Sequence, residues 1–143
     1  MNTHQAAARA AFYAKASELS SKLTFNTREE YLAWAKQWKE DYKIALSGWK
    51  YEKFSRRLSQ SILPEKISYY EKKVAASKLN EEQLARLEVI KTDYLKFMGH
   101  SLISLRWLSM YTVINHMYLI RKASKIRAGK KREERIAQEA LVK

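Results

Sequence analysis

The chain has 143 residues, with 28 Lys and Arg against 15 Asp and Glu, a formal charge of +13, 3 Gly, 1 Pro and no Cys. Lack of cysteine excludes a disulfide framework, a thiol nucleophile and any Cys-based zinc or iron–sulfur site. So few Gly and Pro argue against a turn-rich β-sandwich and leave no glycine loop able to cradle a phosphate. A hydrophobic share of 46% is too rich for a wholly disordered chain, and the length suits one domain.

The punctuation predicts helices. Residues 5–22 are Ala-rich, with Ala7, Ala11, Ala14 and Ala16 near helical spacing. Asn26 or Thr27 then supplies an N-cap, and Thr27-Arg28-Glu29-Glu30 reads as a capping box. Nothing but Gly48 interrupts the pattern until Leu63-Pro64, where Pro disfavours helix in the residue before it yet opens the next helix at its first turn. Asn80-Glu81-Glu82 is a further N-cap, and Gly99 a C-terminal cap or kink. The expected helices are 5–22, 27–62, 64–78, 80–98 and 101–128. A continuous 27–62 helix would be roughly 54 Å long. It must either bend near Gly48 or project in an antiparallel hairpin.

A signal peptide is not expected, because Arg9 and Lys15 interrupt the Ala-rich start. Leu102–Ile120 has the length of a membrane span, but Arg106, Asn115 and His116 lie inside it. A mid-span Arg costs roughly 2.5–3.5 kcal/mol on insertion scales. A nearly all-buried helix with one polar seam explains this segment better, so membrane insertion is not expected and the expected compartment is the cytoplasm.

Two cationic patterns stand out. In 27–62, Tyr31, Trp34, Trp38, Tyr42, Ala45 and Trp49 fall in one stripe, spaced 3, 4, 4, 3 and 4. Beside it run Lys36, Lys39, Lys43, Lys50, Lys53 and Arg57, spaced 3, 4, 7, 3 and 4. A row of cations along one face suits a phosphate backbone, and neighbouring aromatics could stack bases. The plainer reading packs the aromatics into the bundle and leaves the lysines solvated. The second pattern is Arg121, Lys122, Lys125, Arg127, Lys130, Lys131, Arg132 and Arg135 against only Glu133 and Glu134. Charge is segregated: cations outnumber acids 11 to 6 over 1–63, 7 to 6 over 64–99 and 10 to 3 over 100–143. Such segregation points to an anionic partner.

Catalytic constellations are poor. His100 and His116, 16 residues apart, match no helical metal pair, and His4 lies in the first residues of the chain. Ser47-Gly48-Trp49-Lys50 reads as S-x-x-K without its companion motifs. The acids are spread as solvated helix charges. No enzyme activity, cofactor or metal is expected.

The stretch Thr27-Arg28-Glu29-Glu30-Tyr31-Leu32-Ala33-Trp34, continuing through Trp38-Lys39 and Tyr42-Lys43 to Leu46-Ser47, resembles a family of small phage and prophage proteins. These share a T-R-E-E-Y-L-x-W-x-x-x-W-K-x-x-Y-K-x-L-S pattern and a basic C-terminal helix, which Arg121 to Ala140 matches loosely. The resemblance covers about a quarter of the chain; the Trp- and Met-rich 100–120 segment departs from it. It implies a phage or mobile-element protein acting in a bacterial host, and fixes no activity.

The expectation is an all-α protein, a helical hairpin or small bundle with one long helix and a basic C-terminal helix or tail. Residues 1–128 would form a single helical domain and 129–143 a basic tail, helical or partly disordered. Trp34, Trp38, Tyr42 and Trp49 would pack on Leu84, Leu87, Tyr94 and Met98, or on Leu105, Leu108 and Ile114. The two basic sets would bind nucleic acid or a nucleoprotein complex without catalysis, self-association through the aromatic stripe being a further expectation. The alternative is a modulator docking on an acidic surface of a host complex in transcription, replication or defence.

Overall fold

The computed structural model describes residues 2–142, all helix and connections. The chain is all-α. In order it forms α1 (Thr3–Ser20), α2 (Arg28–Gln60), α3 (Pro64–Ser77), α4 (Glu81–Phe97), a 3-10 helix (Leu102–Trp107) and α5 (Met110–Val142).

Local chemistry explains most of the boundaries. Asn2 caps α1 by accepting from Gln5 N–H at 2.8 Å while the Gln5 side chain bonds back. At α2 the Thr27 hydroxyl accepts from Glu30 N–H at 3.1 Å, and the Glu30 carboxylate returns to the amides of Asn26 and Thr27. This is the capping box the sequence predicts. Pro64 opens α3, and Asn80 caps α4 in a box with Gln83. Gly99 ends α4 with φ 72°, donating to Lys96 C=O at 3.1 Å while His100 N–H bonds Leu95 C=O at 2.8 Å. That pair of bonds is a Schellman motif, and the left-handed residue it requires is the glycine.

Two expectations change. The predicted 101–128 helix is broken: Ser101 caps the 3-10 helix by accepting from Ile103 N–H, and the Ser109 hydroxyl accepts from Tyr111 N–H at the start of α5. Serine hydroxyls that bond nearby amides compete with a continuing helix. The apolar 102–120 segment is therefore split, and no helix among the described residues is long and apolar enough to cross a membrane. At the other end, α5 runs on through the basic segment to Val142.

The chain divides into two compact units, Met1–Trp38 with His116–Lys143, and Lys39–Asn115. In the first, Ala16, Leu19, Leu23, Phe25, Met117, Ile120 and Ala123 are buried. Of the α1 alanines only Ala16 is buried; Ala7, Ala11 and Ala14 face solvent, because Leu19 and Ser20 set the buried edge. Phe25 lies 5.2 Å from the Tyr31 ring and 6.1 Å from Trp34. Trp38 Nε1 donates to Met117 C=O at 2.9 Å, tying α2 to α5.

In the second unit Ala45, Leu79, Leu87, Ile90, Leu95, Met110, Val113 and Ile114 are buried. Leu84, expected in the packing set, is 50% exposed. Asp41 and Arg86 form a two-pronged ion pair, 2.8 Å in each prong. That geometry matches a guanidinium fork to a carboxylate and raises the affinity of Arg86 for its proton.

α2 continues through Gly48 without a break. A Cβ there would stand 3.1 Å from Leu87 Cδ2 and 3.9 Å from Met110 Cε, so the glycine lets these helices approach closely. Gly48→Leu should therefore overpack the second unit and lower stability by about 1–3 kcal/mol. Urea unfolding of the variant checks this, and an unchanged midpoint would contradict it.

Candidate anion-binding surfaces

The α2 cations stand on one helical face. Lys36, Lys39, Lys43, Lys50 and Arg57 are exposed. Lys53 is half-buried, its ammonium 5.0 Å from the Trp49 ring centre and 5.6 Å from Phe54, a cation–π placement that fixes the side chain beside the aromatic stripe. None of the six makes an ion pair among the described residues, and the nearby Asp41 is engaged by Arg86. The aromatic stripe itself is half-buried from Tyr31 to Trp49, with Ala45 fully enclosed.

The α5 cations divide by what surrounds them. Arg121 faces inward: its guanidinium lies 5.9 Å from the Tyr31 ring and 5.7 Å from Trp38, and it donates to the Tyr31 hydroxyl and Ser124 Oγ, both at 3.4 Å. Lys122 sits 4.7 Å from the Tyr13 ring, and together with Arg9 it stabilises the Tyr13 phenolate, Arg9 contributing most. Arg127 and Lys131 are half-buried, and Arg127 Nε is enclosed without a hydrogen-bond partner among the described residues. Lys125, Lys130, Arg132 and Arg135 are exposed.

This division follows from register. The inward positions of α5 run Met117, Ile120, Ser124, Arg127 and Lys131, at spacings of three and four, and Arg135, one turn further along the same stripe, is exposed. The stripe that begins apolar ends cationic. Where it becomes cationic, a groove of about 680 Å³ opens, lined by Phe25, Asn26, Thr27, Arg28, Tyr31, Leu32, Ala128, Lys131, Arg132 and Arg135. Arg28, read in the sequence only as part of a capping box, is the cation that α2 contributes. Extending the α5 inward spacing beyond Ser124 would have revealed the other side of the groove.

Among the described residues no three His, Cys, Asp or Glu side chains come together as a metal site. Desolvation pushes the Glu52 carboxyl above its usual range, opposed by Lys91 and Arg56. No family model matches the chain, nor does any curated protein or solved structure.

His116 lies half-buried on α5, and desolvation lowers its pKa from 6.5 to about 4. The unfolded chain thus takes up a proton near pH 6.5 that the folded chain refuses until about pH 4. Stability contributed by the neutral imidazole is complete above the unfolded value and is lost as pH falls toward the folded one. The urea midpoint should drop between pH 7 and pH 4.5, and His116→Gln should lessen that drop. An equal drop in the variant would contradict the assignment.

Proposed function

We propose that this protein binds nucleic acid, alone or within a nucleoprotein complex, through the cationic face of α2, with the cations of α5 as a separate second grip. The observation that carries this reading is the row Lys36, Lys39, Lys43, Lys50 and Arg57, exposed on one helix and without ion-pair partners among the described residues. A helix holds such charges at regular intervals, and phosphates spaced along a backbone are the anions that match a row better than a point. Contacts of this kind position a duplex or strand without reading bases, so affinity should depend weakly on sequence. The phage-like motif in α2 supports a setting in which a bacterial host supplies the nucleic acid. No residue of the chain is assigned a catalytic role.

A second reading is docking on an acidic face of a host protein complex. It is favoured by apolar side chains in solvent on and beside the 3-10 helix, with Ile103 82% and Trp107 80% exposed. Binding of purified protein to nucleic acid alone separates the two.

Fluorescence anisotropy with labelled single- and double-stranded DNA and RNA should give log affinity that falls linearly with log salt. Each phosphate that is no longer neutralised should reduce the slope by about 0.9 on duplex DNA. The triple variant Lys39→Gln, Lys43→Gln, Lys50→Gln should weaken binding on every sequence and flatten the slope by two to three such steps. Absence of binding at low salt would refute the proposal.

A further inference from the structure

The groove at the start of α2 concentrates positive charge in a confined space. Arg28, Lys131, Arg132 and Arg135 line it, and no Asp or Glu does. None of the four makes an ion pair among the described residues. The Glu30 carboxylate is engaged by the amides of Asn26 and Thr27, and neither it nor the exposed Glu133 and Glu134 is part of the lining. The Glu30 amide is in turn bonded to the Thr27 hydroxyl. The side-chain cations are what remains.

Like charges held together are costly unless a counter-charge joins them. Three of the four are guanidinium groups, whose planar fork matches phosphate oxygens two at a time. The groove's volume, about 680 Å³, lies within the range of small-molecule sites, about 300–1,000 Å³. A terminal phosphate carries about −1.5 to −2 at neutral pH, so balancing four cations takes at least two phosphate groups.

We infer that this groove binds a ligand bearing clustered phosphates, of the size of an oligophosphate or a nucleoside triphosphate. The site shares no residue with the α2 lysine row and does not rest on it. Clustered phosphate is the shared chemistry of inorganic oligophosphate and nucleotide. Phe25, Tyr31 and Leu32 give the groove an apolar wall that only a nucleotide could use.

Isothermal titration of the full chain with inorganic tripolyphosphate, ATP and orthophosphate tests the inference. Tripolyphosphate and ATP should bind saturably at one site, and orthophosphate far more weakly. ATP tighter than tripolyphosphate assigns the site to nucleotides; equal affinities assign it to the phosphates alone. Arg132 and Arg135 are exposed and unbonded among the described residues, so Arg132→Gln with Arg135→Gln should leave the fold intact by circular dichroism. Removing one charge-assisted hydrogen bond costs about tenfold or more, so the double variant should bind at least about a hundredfold more weakly. The Lys39→Gln, Lys43→Gln, Lys50→Gln variant should retain tripolyphosphate binding. No saturable binding would overturn the inference, as would loss of binding in the α2 variant with retention in the α5 variant. Lys131, Arg132 and Arg135 also belong to the α5 set proposed as the second grip, so it is nucleic-acid binding by the α2 row that can fail without affecting this result.

Discussion

The tie between α2 and α5 in the first unit is the contact on which the rest depends. Trp38 donates its indole N–H to Met117 C=O, and the Arg121 guanidinium lies over the Tyr31 and Trp38 rings. A buried indole N–H without an acceptor would cost about 1–3 kcal/mol, so this bond sets where along α5 the tryptophan sits. With depth and rotation fixed at Met117 and Arg121, helical geometry determines the facing of the following residues. Arg127 and Lys131 then continue the inward face, although they are cations. The groove beside Arg28 is a consequence of that register.

The same logic shows why a charge of +13 leads to arrays rather than to a dispersed surface. Ion pairs such as Asp41–Arg86 and Glu88–Lys91 consume acids in the second unit, and Glu30 is occupied as a cap. Two of the acids near the α2 row and the groove, Asp41 and Glu30, are therefore engaged elsewhere. Exposed pairs contribute only about 0–1 kcal/mol each, so stability alone gives little reason for this distribution. The uncompensated cations are the groups on which the proposed binding rests. Their placement on helices fixes the spacing between charges, which a flexible basic tail would not do.

Much of this was legible in the residues. Thr27 with Glu30, Pro64, Asn80 and Gly99 announce their boundaries because each acts through a local hydrogen bond or a restricted dihedral. The aromatic stripe is readable because an amphipathic period survives any particular partner. What escaped was decided over longer distances or by competing local bonds. Ser101 and Ser109 interrupt an apolar run whose hydropathy alone predicts a continuous helix. Gly48, which looks like a bend, is instead a close approach to Leu87 and Met110 from elements distant in sequence. Arg121 and Lys122 read in the sequence as members of the basic binding set, but aromatic rings from α1 and α2 hold them. The groove was hidden because hydropathy reads cations as outward, so nothing in the sequence marked Lys131 as an inward position.

The central claim is that the cations of α5 are held on an ordered helix in fixed register rather than carried on a basic coil. Amide hydrogen exchange of the free protein over residues 116–135 tests it most directly. The account predicts protection that continues from Met117 without a break through Lys131, where the helix still lines the groove, and declines only toward the C-terminal turns. Exchange at coil rates from Arg127 onward would contradict it, because the inward register of Arg127 and Lys131 would then not exist.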